Sequence, residues 1–239
     1  MSTLTLVRHG QARMFDGDYD RLSQMGEEQA GRLGAYWAGR QILFNEIYSG
    51  PQKRQIHTAE IVRDCYARAG LKFPEIVVLD EMREYDGDGI INGLLPQLLD
   101  RDDRIRRLAE DYEKTSEGAD RYRSFQRMFE AVTKLWVRGE VSSPAVESFE
   151  NFHSRVRRGL ERITSREGSG RRVAVFTSGG PTSVAVQIAS RAPEAMVMEL
   201  NWRVRNCSLT EIVFSRERFT LDVFNTLPHL DDPRMWTYR

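Results

Sequence analysis

The chain has 239 residues, a length that suits one domain with an insertion or at most two small domains, and it can bury a core without disulfides or structural metals. Its 35 Lys and Arg residues balance 35 Asp and Glu, so the basic excess usual in nucleic-acid or anionic-membrane binders is missing. No apolar run approaches the roughly 20 residues that span a bilayer, and the two cysteines, Cys65 and Cys207, form neither a CxxC nor a Cys/His ligand spacing. Sparse cysteine and an N-terminus without a signal-peptide apolar region lead to the expectation of a cytoplasmic protein. No metal, organic cofactor, nucleic-acid partner or membrane partner is expected.

In chain order, the apolar and β-branched stretch 3–7 reads as a buried strand. A polar loop follows to about Asp20. Ser23 suits an N-cap for a helix to about Arg40, with Ala30, Leu33 and Trp37 on one face. A short strand is expected at 46–48. Pro51 then fits the first turn of a helix to about Ala69, whose apolar face carries Ile56, Ala59 and Val62. A third strand is expected at 75–79. Another helix begins near Ser148, with a stripe of Phe152, Val156, Leu160 and Ile163. The run 172–178 is a strong buried strand, and Gly179-Gly180-Pro181 turns it into a helix to about Ser190. The runs 209–214 and 219–224 read as two strands joined by a tight charged turn.

Alternating strands and helices predict an α/β three-layer sandwich with a mostly parallel sheet. Its edge becomes antiparallel if the last two strands form a hairpin. Residues 88 to about 146 break the alternation, so 1–239 reads as a single domain with a helical cap insertion there. Phe125, Met128, Phe129, Val132, Leu135 and Trp136 fall at offsets 0, 3, 4, 7, 10 and 11, an amphipathic helical stripe. A cap over one end of the sheet and a plain covering layer fit this stripe equally well. The charged face at 100–107 is ordinary solvated surface unless it meets a substrate or partner.

Parallel α/β sheets bind ligands beyond the carboxyl ends of their strands. There the sequence offers Arg8-His9-Gly10-Gln11, then Ser49 to Arg54, then Glu81 to Asp88, then Thr177 to Gly180. A guanidinium presents planar N–H donors that match two phosphate oxygens. The glycine turn before Pro181 opens a helix, and backbone N–H groups there favour an anion. An imidazole among cations stays neutral and nucleophilic. A carboxyl group nearby can protonate a leaving oxygen. Together these parts suit phosphoryl transfer through a phosphohistidine.

LVRHGQ at 6–11 resembles the signature of the histidine phosphatase (phosphoglycerate mutase-like) superfamily. LSQMGEEQAGRLG at 22–34 is similar to that family's first-helix segment. YSGPQKRQIHTAEIV at 48–62 resembles its S-x-P-x-x-R-x-x-Q-T-A segment. MREYD at 82–86, ESFENFHSRVRRGL at 147–160, VAVFTSGGP at 173–181 and NCSLTEIVF at 206–214 resemble the later segments in order. The resemblance implies a phosphatase-type enzyme that needs no metal and acts on a phosphorylated small molecule or phosphoprotein. It implies His9 as phosphate acceptor, Arg8 and Arg54 as clamps, and Glu84 as proton donor, with Glu81 the alternative acid. Gln11, Ser178 and Gly179 join the clamps as phosphate-binding candidates.

Two departures from the family pattern stand out. The family places a second histidine directly before the two glycines, where this chain has Ser178. It also has a Thr and often an Asn at the positions held here by Ala12 and Phe15. Arg13 or Gln11 and the backbone at Gly179-Gly180 are the available compensations. The loss of side-chain donors keeps a second reading open, a phosphate-binding or regulatory relative with little turnover; a phosphomutase is a weaker third. The bland alternative for Ser178 is a helix N-cap. His57 reads as a hydrogen-bonding or surface residue, His153 as solvated, and His229 as a residue that could stand behind the site. Cys65 and Cys207 read as small buried apolar residues.

Overall fold

The computed structural model describes residues 1–13, 20–116 and 118–238. Phe15 lies outside the described residues. The elements in chain order are β1 (Ser2–Arg8), α1 (Gln24–Gly39), β2 (Glu46–Ser49), α2 (Lys53–Arg68), β3 (Ile76–Val78) and α3 (Gly87–Leu99). They continue as α4 (Asp103–Lys114), α5 (Ala119–Val137), α6 (Phe149–Thr164), β4 (Arg172–Thr177) and α7 (Gly179–Ser190). The last are α8 (Met196–Asn201), β5 (Leu209–Phe214) and β6 (Phe219–Thr226). The chain divides into two compact units, Met1–Glu84 with Arg155–Arg239, and Tyr85–Ser154.

The first unit is built on a six-stranded sheet of order β3-β2-β4-β1-β5-β6. β1, β2, β3 and β4 run parallel, while β5 pairs antiparallel with β1 and β6 antiparallel with β5. The last two strands thus form the expected hairpin. β1 and β4 are buried on both faces, which is why they read as near-continuous apolar runs. Val7, Ile47, Ala174, Phe176 and Leu209 pack with Leu33 and Trp37 of α1 and Ala59, Val62 and Tyr66 of α2. The alternate residues Leu4, Leu6, Val173 and Val175 are also fully buried.

Several local details follow from side-chain chemistry. Ser23 caps α1 as expected, accepting from Gly26 N. Pro51 does not enter the first turn of α2; Gln52 is the N-cap and Pro51 precedes it. β3 is shorter than expected. Pro74 stands just ahead of it, and as the outermost strand it pairs, among the described residues, with β2 alone. Val77 and Val78 are 42% and 49% exposed. α8 was not anticipated.

The second unit holds α3, α4, α5 and the start of α6. The α5 stripe buries Met128, Phe129, Val132 and Trp136. Tyr85, Phe149 and Phe152 gather around Trp136, with ring centroids 5.6, 5.3 and 6.1 Å from it. The Trp136 indole donates to Glu147 O at 2.9 Å. His153 corrects the expectation of a solvated residue. It is 4% exposed, because it follows Phe149 by one helical turn and shares its buried face, with the two rings 5.9 Å apart. Among the described residues, no helix is long and apolar enough to cross a membrane.

Candidate active site

The parallel strands bring four chain segments to one end of the sheet. β1 ends beside β4, with Arg8 opposite Thr177. Just beyond, His9 N donates to Thr177 O and Gly50 N donates to Phe176 O. Thr177 Oγ1 donates to Met82 O at 2.8 Å, which ties the segment after β3 to the same place. Gly10 allows the close turn. A Cβ there would stand 2.3 Å from Gly26 O, so the first turn of α1 closes over the backbone of this residue.

His9 is buried, and its hydrogen bonds fix its tautomer. Nδ1 lies 2.7 Å from Gly10 O. A carbonyl only accepts, so Nδ1 carries the proton. Arg54 Nε donates to Nε2 at 3.1 Å, so Nε2 presents its lone pair. Burial first, then the charges of Arg54 and Arg8, hold the imidazole well below its usual pKa; the Gly10 hydrogen bond acts in the opposite direction. The result is a neutral imidazole with its nucleophilic nitrogen facing a guanidinium.

The guanidiniums are themselves anchored. Arg54 Nη1 donates to Asp20 Oδ1 at 2.8 Å, and the same carboxylate accepts from Lys53 N at 2.9 Å. Asp20 thus sits on the N-terminus of α2, where the helix dipole favours a negative charge. Arg8 donates to Val204 O. Thr58, one turn along α2, accepts from Gly10 N at 3.1 Å and donates to Arg54 O at 2.6 Å, tying the turn after His9 to the backbone of Arg54. The His9 carbonyl accepts from Asn206 Nδ2 at 3.3 Å and Cys207 N at 3.2 Å. Cys207 adopts a positive φ of 57°, a conformation that side chains other than glycine rarely take. Burial raises its thiol pKa, so it behaves as an apolar residue.

Glu84 and Glu81 are separated by geometry. Glu84 Oε2 accepts from Gly180 N at 3.1 Å, at the first turn of α7, and Glu84 N donates to Gln52 Oε1 at 3.1 Å. Glu81 turns instead to Arg162 of α6, 3.3 Å away. Arg155 holds this segment by donating to Glu81 O and Arg83 O at 3.1 and 2.9 Å.

The remaining candidates fall as follows. Gln11 Oε1 accepts from Ser23 Oγ at 2.9 Å, beside the first turn of α1. Arg13 Nε donates to Leu22 O at 3.2 Å, and Ala12 is buried in an isolated bridge to Leu22. Gly179 opens α7, where a Cβ would stand 2.4 Å from Asn201 Oδ1. Ser178 occupies the N-cap position but makes no capping bond with its side chain. Its Oγ accepts from Gln55 Nε2 at 2.7 Å. His57 lies part-buried on α2. His229 stands beside Tyr36 of α1, with ring centroids 6.2 Å apart, and no described residue bonds either ring nitrogen. Burial lowers its pKa to about 4. Cys65 and Cys207 are buried and unpaired, as expected.

Sequence reasoning missed Asp20, Gln55, Thr58 and Asn206. Thr58 carried a signal, through the Thr of the S-x-P-x-x-R-x-x-Q-T-A pattern, and Asn206 opens the family-like segment at 206–214. Among the described residues, no group of three or more His, Cys, Asp or Glu side chains is placed to hold a metal ion.

None of the curated proteins matches the chain. Solved structures do. Phosphoserine phosphatase from Entamoeba histolytica in complex with 3-phosphoglyceric acid matches with a TM-score of 0.62 at 19% identity, over 96% of this chain and 100% of that one. Alpha-ribazole phosphatase from Shigella flexneri gives 0.60 at 19% identity, over 94% and 96%. Phosphoglycerate mutase from Bacillus anthracis gives 0.59 at 18% identity, over 95% and 94%. At these identities the likeness establishes the shared α/β fold. The model of the histidine phosphatase superfamily (branch 1) matches residues 4–140 and 105–227, nearly the whole sequence. The chain therefore belongs to the histidine phosphatase superfamily, branch 1.

Proposed function

We propose that this protein is a cytoplasmic phosphatase that hydrolyses a phosphorylated small molecule or phosphoprotein through a phosphohistidine on His9. One observation carries the proposal: a buried neutral imidazole with Nδ1–H held by Gly10 O and Nε2 facing Arg54. In the first step the Nε2 lone pair forms a bond to phosphorus, and the bond from phosphorus to the leaving oxygen breaks. Arg54 releases Nε2 and, with Arg8, donates to the phosphoryl oxygens as charge develops on them. The first-turn N–H groups of α7 at Gly179, the Gln11 amide and the Ser178 hydroxyl add uncharged donors. Glu84 gives its proton to the leaving oxygen. In the second step water attacks phosphorus and returns a proton to Glu84, the N–P bond breaks, and His9 is restored neutral. No step calls for a metal, since the guanidiniums supply the positive charge.

A second reading rests on Ser178. A serine is shorter than the family's histidine and its hydroxyl is uncharged. Loss of a donor to the transferring group costs on the order of a hundredfold to a thousandfold in rate. The protein would then bind phosphate with little turnover. Steady-state hydrolysis of an aryl phosphate, beside calorimetric titration with inorganic phosphate, separates the two. Turnover with competitive inhibition by phosphate supports the phosphatase. Phosphate binding without turnover selects the binding protein.

A further inference from the structure

Resting on the assignment of His9 as phosphate acceptor, we infer that Gln55 is a positioning residue that turns the Ser178 hydroxyl toward the phosphoryl site, so that the pair supplies a neutral donor where the family places an imidazole. Gln55 follows the clamp Arg54 on the first turn of α2 and is fully buried, as is Ser178. Its amide is held at both ends. Oε1 accepts from Gln52 N at 3.1 Å, and Nε2 donates to Ser178 Oγ at 2.7 Å. The Gln52 contact fixes the amide orientation, because a flipped amide would set its NH2 against a backbone N–H.

Ser178 Oγ is therefore the acceptor in its bond to Gln55, and its own proton points elsewhere. No described residue accepts that proton, and the side chain does not cap α7. A buried hydroxyl proton without an acceptor is unfavourable until one arrives. The neighbours of Ser178 show where an acceptor would arrive. Thr177 O accepts from the His9 backbone, and Gly180 N donates to Glu84. Ser178 thus stands in the chain between the backbone anchors of the nucleophile and the acid, and phosphoryl oxygens are strong acceptors. Gly50 makes the room. A Cβ there would stand 2.2 Å from Gln55 Oε1.

The test is a double-mutant cycle of Gln55→Glu and Ser178→Ala, read by vanadate inhibition and by kcat and KM on an aryl phosphate. Ser178→Ala removes the donor and should lower kcat and vanadate affinity roughly tenfold, with KM changed far less. Gln55→Glu keeps an oxygen for Gln52 N–H but presents an acceptor to Ser178, which draws the hydroxyl proton back. It should cause a similar loss. In the Ser178→Ala background, Gln55→Glu should add little, since no proton remains to redirect. Any effect of the introduced charge alone appears in both backgrounds and cancels from the coupling. Equal effects of Gln55→Glu in both backgrounds would overturn the inference. If melting curves show that Gln55→Glu does not fold, Gln55→Met removes the amide donor in the same cycle, with the same expectation of non-additivity. A wild type that binds vanadate and labels on His9 while the cycle is additive defeats only this inference. A wild type that does neither defeats the phosphatase proposal and this inference with it.

Discussion

Glu84→Gln isolates proton donation more cleanly than any other change in the site. The amide oxygen of glutamine can still accept from Gly180 N, as the carboxylate oxygen Oε2 does, and the Glu84 N to Gln52 Oε1 bond involves only backbone on the Glu84 side. The fold and the melting temperature should therefore change little. What disappears is the transferable proton. General acid catalysis contributes roughly a hundredfold to ten-thousandfold, equivalent to about 2.7–5.4 kcal/mol of transition-state stabilisation at 1.36 kcal/mol per factor of ten. That loss applies in full only when the leaving oxygen is strongly basic. An alkyl phosphate should lose on that scale, whereas a nitrophenyl phosphate, whose leaving group departs unprotonated, should lose far less. The assay is kcat/KM for a series of phosphomonoesters spanning leaving-group pKa, in wild type, Glu84→Gln and Glu81→Gln. The slope against leaving-group pKa should steepen in Glu84→Gln and stay unchanged in Glu81→Gln, which only breaks a contact to Arg162. Equal losses across the series, or a steeper slope in Glu81→Gln, would refute the assignment.

Hydrolysis of an aryl phosphate should survive EDTA, because Arg8 and Arg54 carry the positive charge; activity lost to chelator and restored by a divalent ion would contradict this. His9 must be neutral to attack, and its pKa lies well below the usual histidine value, so the acid limb of kcat/KM and the NMR titration of the His9 ring should both fall clearly below pH 6.5. A limb at or above that value would contradict the site's electrostatics. His229 gives a stability prediction. Its folded pKa is about 4, against about 6.5 unfolded. Between those values the unfolded chain takes up a proton that the folded chain refuses, so stability falls as pH falls through that window. The difference of about 2.5 units corresponds to about 3 kcal/mol. Urea unfolding from pH 7 to 4 should show a loss in wild type larger by about that amount than in His229→Leu; parallel pH profiles would refute it.

The elements that could be read from sequence were those whose local signal and tertiary environment agree. β1 and β4 are buried on both faces and keep an unbroken apolar run. The start of α1 was marked by Ser23, whose hydroxyl makes the capping bond that its identity promised. Where a long-range contact decides, the sequence was silent. β3 stands at the edge of the sheet, with β2 as its one neighbour among the described residues, and is short. α8 spans only Met196–Asn201, too short for a helical period to emerge. His153 has charged neighbours in sequence, and only its place one turn after Phe149 shows that it is buried. For the site, motif order singled out Arg8, His9, Arg54 and Glu84, and the structure gathers their backbones at the strand ends. Glu84 and Glu81 are three residues apart and indistinguishable by composition. The bond to Gly180 and the ion pair to Arg162 separate them. The Gln55–Ser178 bond joins residues 123 positions apart. No local pattern encodes it.

The central claim is that phosphate passes through Nε2 of His9, and rapid-quench labelling with a 32P-labelled phosphomonoester tests it most directly. Wild type should form a phosphoenzyme within a single turnover, with a bond that is acid-labile and base-stable as a phosphoramidate requires. The label should map to the peptide containing His9. His9→Ala should lose both the label and turnover while still folding. Label retained in His9→Ala would place the nucleophile elsewhere and contradict the account.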